Sequence, residues 1–232
     1  MSTDHTKFDQ RRYPIVDVRE GYGEWVRTYE QTVLDEMDLR LLARLRGVDW
    51  AAAGDVLDLA CGTGRIGAWL RGRTAAAIDG VDLTPGMLEK ARARDAYRSL
   101  REGDVRDTGA AAGAYDIATM SLADEHLPTL DGVYREAARV LRPAGTFVLV
   151  GFHPYFLMAG MPTHYERADG RPQTIRSYVH QLSDHFHAAQ AAGFTLAELD
   201  EGLVDAEWLA KKPKWQRYEG LPISFVAAWR RQ

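Results

Sequence analysis

The chain has one cysteine in 232 residues, Cys61, so no internal disulfide can be drawn. No apolar run approaches the ~20 residues that cross a bilayer, and the polar, charged stretch Met1 to Arg12 has no signal-peptide character. The expectation is therefore no membrane partner, a cytoplasmic protein, and a loose leader over those first residues. Clustered basic charge is also missing: 29 Lys and Arg stand against 33 Asp and Glu, a formal net charge of −4. Nucleic-acid binding needs cations gathered on one face, so no nucleic-acid partner is expected. Internal repeats are absent, and the only biased tract is the Ala-rich turn Gly109 to Gly113.

What remains is an ordinary globular composition, 46% hydrophobic and 27% charged. Val33, Leu34, Met37, Leu41, Leu42 and Leu45 fall at helical spacing, which predicts one helix from Glu30 to Gly47. Short apolar runs at Asp55–Ala60, Ala75–Leu83, Arg98–Glu102, Tyr115–Ser121 and Thr146–Phe152 read as strands. Between them lie helical patterns, one opened by Thr84-Pro85 and running to about Ala96, another from Leu130 to Leu141 and closed by Pro143. After His153 the rhythm stops until Arg171, a segment read as a lid insertion. Helix is then expected from Thr174 to Ala192, ended by Gly193, with two last strands at Phe194–Leu199 and Ile223–Trp229.

Strands alternating with helices imply a mostly parallel sheet covered on both faces, an α/β fold. The expected plan is a single domain: an N-terminal helical flap over 1–53, a ligand-binding half over 54–151, the lid and helix over 152–192, and C-terminal strands over 193–232.

Gly62, Gly64 and Gly67 form G-x-G-x-x-G between a strand and a helix, where glycine permits a tight turn and close backbone approach to a ligand. Asp82 lies about twenty residues on, at the end of the next strand, where a carboxylate can accept from ribose hydroxyls. Those two features fit either NAD or another adenosine ligand. Asp58, four positions before the first glycine, favours a ligand with a cationic group, since an acid has little use beside a pyrophosphate.

The run Asp58-Leu-Ala-Cys-Gly-Thr-Gly, followed by Gly80-Val-Asp-Leu-Thr-Pro-Gly-Met-Leu, Gly103-Asp104-Val105 and Val140-Leu-Arg-Pro-Ala-Gly, resembles the class I S-adenosylmethionine-dependent methyltransferases, in the small-molecule branch called methyltransferase type 11. That family resemblance implies a Rossmann-like sheet of seven strands, S-adenosylmethionine as cofactor and S-adenosylhomocysteine as product. It implies that Asp58 helps hold the methionine ammonium and Asp82 the ribose. Leu83 and Met87 would lie by adenine, Asp104 would accept from the adenine amino group, and Val105 would pack beside it. Ala60, Gly62, Thr63 and Gly64 would bring backbone to the methionine chain, and Ser121 and Leu122 would face its sulfonium end. Tyr22, with Tyr13, Trp25 and Tyr29, is expected in a flap over the cofactor. The family's Pro-Gly-Gly turn reads Pro143-Ala144-Gly145 here.

Methyl transfer needs a positioned acceptor and, for some acceptors, a base. Ligands in parallel sheets bind beyond the carboxyl ends of the strands, which selects His126 and then His153 as catalytic candidates. Tyr155, Phe156, Met158, His164 and Tyr165 are expected to cover a small organic acceptor, methylated on oxygen or nitrogen rather than carbon. His180, Asp184 and His187 share a helix face but read as a wet surface, so no metal is expected. The chain is expected as a monomer or homodimer. A short-chain dehydrogenase would need Tyr-x-x-x-Lys, which none of the ten tyrosines provides. A non-methylating protein that keeps the cofactor site, a cyclase or regulator, is the alternative.

Overall fold

The computed structural model describes residues 3–33, 37–161 and 163–232. Seven strands build the main sheet: β1 (Asp55–Leu59), β2 (Ala77–Asp82), β3 (Ser99–Glu102), β4 (Tyr115–Ser121), β5 (Leu141–Phe152), β6 (Phe194–Leu203) and β7 (Pro222–Arg231). Their order is β3-β2-β1-β4-β5-β7-β6. Strands β1 to β5 run parallel, and β7 pairs antiparallel with both β5 and β6. This is the expected Rossmann-like, mostly parallel architecture.

Side-chain alternation explains why the sheet is covered twice. Val56, Ile117, Val148, Val150 and Val226 face one way and pack with Leu41, Leu42, Ile66 and Leu70. Those partners come from α2 (Met37–Arg44) and α3 (Arg65–Arg71), which follow α1 (Val18–Trp25). Leu57, Leu59, Phe147, Leu149 and Phe225 face the other way and pack with Tyr134 and Ala189. Next along the chain come α4 (Pro85–Arg92), α5 (Asp131–Val140), which supplies Tyr134, and α6 (Leu182–Ala191), which supplies Ala189.

Four expectations on the flanking segments are corrected. The helix expected over Glu30–Gly47 is broken: a single turn, Tyr29–Thr32, ends at Val33 with ψ of 81°, and α2 begins only at Met37, while Leu34 lies outside the described residues. The leader is not loose, because Thr3–Asp4 pairs with Tyr178–Val179 and His5 is buried, its Nε2 3.0 Å from the Leu157 carbonyl. The segment after His153 has regular structure: a helical turn, Pro154–Met158, then strands His164–Glu166 and Pro172–Ile175 paired antiparallel. The second of these strands also pairs with Ile15–Val16, so the helix expected from Thr174 starts only at Leu182. Helix α4 likewise stops at Arg92, short of Ala96.

Gly67 shows how closely α3 approaches the sheet. A Cβ there would lie 2.3 Å from Tyr97 Cζ, and the ring cannot swing away freely because its hydroxyl donates to Asp58 at 2.7 Å. Gly67→Ala is expected to reduce unfolding free energy in urea titration by about 1–3 kcal/mol. A loss below about 0.5 kcal/mol, within the range of neutral surface changes, would show that Tyr97 yields.

Candidate functional site

The strand order reverses between β1 and β4, and ligands of open parallel sheets bind where the carboxyl ends diverge at such a point. A cavity of about 230 Å³ lies there. Ala60 and Gly62 line it from the turn after β1, and Asp82, Leu83 and Met87 from the end of β2 and the start of α4. Asp104 and Val105 enter after β3, and Ser121, Leu122 and His126 after β4. Tyr22 and Tyr29 complete the wall from the N-terminal segment.

Asp82 locks the turns together. Its carboxylate accepts from the Gly62 and Thr84 N–H groups, both at 2.8 Å. Burial pushes its carboxyl above the usual range, and those two donors offset part of the effect. Gly62 takes φ of +54°, and a Cβ added there would meet nothing within 4 Å, so bare backbone forms that part of the wall. Ala60 also has positive φ, +53°, a left-handed conformation that costs a non-glycine residue about 1–2 kcal/mol. Asp104 lines the rim with its carboxylate held by the Arg106 guanidinium, which keeps it below the usual range.

Three residues expected at the ligand shape the turn from behind instead. Asp58 is buried under the glycine loop, where its carboxylate accepts from Tyr97 Oη at 2.7 Å and Thr119 Oγ1 at 2.9 Å. Burial outweighs both bonds and pushes Asp58 up to about 7. The Thr63 carbonyl accepts from Arg94, and Gly64, at φ +82°, packs against Ala91 and Tyr97. None of the three forms the cavity wall.

Sequence reasoning missed Asp38, because an acid on an amphipathic helix reads as solvated. It is fully buried, pairs with both terminal nitrogens of Arg65, and accepts from Ser121 Oγ at 2.9 Å. The turn after β4 was recognised, but its burial was not: Asp124, Glu125 and His126 are all buried.

The two histidines selected from sequence separate here. His126 Nδ1 lies 2.8 Å from the Arg176 carbonyl, which can only accept, so Nδ1 carries the hydrogen. Nε2 is then an acceptor, 2.9 Å from Tyr22 Oη. Burial holds His126 below the ordinary imidazole value, so the ring is neutral at neutral pH. His153 is not brought to the cavity: it caps the turn Pro154–Met158 and pairs with Glu201 at 2.9 Å.

The residues expected over an acceptor also lie elsewhere. Phe156 stacks on Trp215, and Tyr155 and Met158 are exposed. His164 packs on Tyr13, and Tyr165 stacks on Trp25 and donates to Glu24. Their contribution is indirect, since Trp25 in turn stacks on Tyr22, which does line the cavity. The helix face expected to be wet is partly turned inward, with His180 buried and bonded to the Leu127 carbonyl. Among the described residues no helix is long and apolar enough to cross a membrane.

Glu125 sets a pH dependence for the fold. Burial raises its carboxyl from 4.5 to about 8, against the bond from Thr163. Between those values the folded chain holds a proton that the unfolded chain has lost, so this contribution to stability is full below about 4.5 and declines as pH rises to about 8. Unfolding followed over that range is expected to show a shallower decline in Glu125→Gln than in the parent. An unchanged slope would remove Glu125 as its source.

Residues 57–149 match the family described as methyltransferase domain. An uncharacterized methyltransferase of Emericella nidulans is 26% identical, covering 83% of this chain and 80% of its own. The 27-O-demethylrifamycin SV methyltransferase of Amycolatopsis mediterranei is 29% identical, covering 86% of this chain and 75% of its own. The solved S-adenosylmethionine-dependent methyltransferase of Mesorhizobium loti superposes with a TM-score of 0.68 at 21% identity, covering 83% of this chain and 96% of that one.

Proposed function

We propose, from the premise that the chain is a class I S-adenosylmethionine-dependent methyltransferase, that it methylates an oxygen of a small organic acceptor and that His126 receives the acceptor's proton. The observation that carries this reading is the accepting Nε2 of a neutral, tautomer-fixed imidazole in the cavity wall. An oxygen acceptor accords with the relative named for a 27-O-demethyl compound.

The cavity residues fit the cofactor. The bare backbone at Gly62 leaves room for close approach, and Asp82, anchored through two N–H groups, keeps lone pairs for ribose hydroxyls. Leu83, Met87 and Val105 offer an apolar slot for adenine, Asp104 an acceptor at its edge, and Ser121 and Leu122 the wall toward the methionine end. When bound, S-adenosylmethionine supplies a methyl carbon on cationic sulfur, so no covalent nucleophile is required of the protein.

The chain's own residues have three tasks. Tyr22 and Tyr29 cover the cavity and exclude water; burial keeps both phenols protonated, Tyr29 pushed up to about 12. Tyr22 Oη occupies the Nε2 lone pair until an acceptor hydroxyl takes its place. The Arg176 carbonyl holds the ring so that this lone pair stays aimed at the cavity.

Label transfer from methyl-labelled S-adenosylmethionine to a panel of phenols and alcohols tests the reading. Asp82→Ala is expected to weaken S-adenosylhomocysteine binding in calorimetry about 100-fold. His126→Asn is expected to bind it as the parent does while turning over about 100-fold more slowly or worse. Full turnover in His126→Asn would overturn the base assignment, and unaltered binding in Asp82→Ala the cofactor site.

A further inference from the structure

Glu125 is the buried acid beside the site that the steps above leave unused. Its Oε1 lies 3.4 Å from His126 Nε2 and accepts from Thr163 Oγ1 at 2.5 Å, while Oε2 has no hydrogen-bond partner. It is 1% exposed, and among the described residues no Lys or Arg pairs with it. The titratable groups around it are Asp124 and His126 on its own turn and the phenols of Tyr22 and Tyr29 from the N-terminal segment. A carboxyl group placed this way is costly unless a cation forms next to it. His126 is the group against it that can become one.

Resting on the reading of His126 as base, we propose that Glu125 is a positioning residue whose carboxylate steadies the imidazolium formed when the acceptor hydroxyl gives its proton to Nε2. As the acceptor oxygen bonds to the methyl carbon, its O–H bond breaks and an N–H bond forms at Nε2. The pair of the old carbon–sulfur bond stays on sulfur, so positive charge leaves the sulfur and appears on the imidazole. At 3.4 Å that charge meets Oε1 inside a water-poor wall, where an ion pair is worth more than at the surface. Burial pushes Glu125 up to about 8, so the carboxylate and the imidazole share protons as a pair rather than titrating separately.

The test reads His126 itself, by NMR titration of its ring in the intact protein without cofactor. In the parent the His126 signals are expected to move in two steps, one near pH 8 with Glu125 and one on the acid side of the ordinary imidazole value. Glu125→Gln, which keeps an acceptor for Thr163, is expected to lose the upper step and to bind S-adenosylhomocysteine with parent affinity. Thr163→Val removes the bond that favours the carboxylate and is expected to move the upper step to higher pH, an arm that stands even where Glu125→Gln fails to fold. Identical His126 titrations in parent and both variants would overturn the proposal. A full-speed His126→Asn would instead overturn the base reading and leave the coupling measured by NMR intact.

Discussion

The site depends on one carboxylate meeting two backbone N–H groups. Parallel strands end with their last amides unpaired, and a turn that bends sharply enough to leave bare backbone for a ligand cannot satisfy them from within. Asp82 satisfies one in the turn after β1 and one at the start of α4, so adjacent strand ends become one rigid edge. Behind that edge Asp58, Tyr97 and Thr119 do the same for the floor of the loop. The glycines at 64 and 67 are small because Tyr97 lies across them.

The part of the fold legible in sequence is the part held by local pattern. Alternation within β1, β4 and β5, the turn glycines and Pro85 are signals that a few residues carry by themselves, and they locate the sheet and the cavity's donor side. The flanking segments were misread because their structure is set by distant partners. Thr174 and Ile175 have helical neighbours in sequence but pair with Ile15 and Val16, and no periodicity within either segment records that. Residues placed by proximity to strand ends were half right for the same reason: His126 and His153 both follow strands, but only the first turns toward the cavity.

Buried charge separates the acids of this site into two kinds. Asp38 is matched by a guanidinium and a hydroxyl, and Asp104 by a guanidinium. Asp58 and Glu125 have only neutral donors, and burial wins over those bonds. A hydrogen bond from a neutral hydroxyl contributes about 1 kcal/mol net, while desolvating a carboxylate costs several. Sequence cannot make that distinction, since both kinds are simply Asp or Glu.

The cover over the cavity is built from both ends of the chain. Ile15 and Val16 have no strand to join until residues 174 and 175 exist, and Thr3 and Asp4 none until residues 178 and 179 exist. Strands β1 to β5 can all pair before either segment docks. During synthesis the cavity is therefore a formed but open cleft, and closing it is a late, long-range step that carries the loop-closure entropy of more than half the chain.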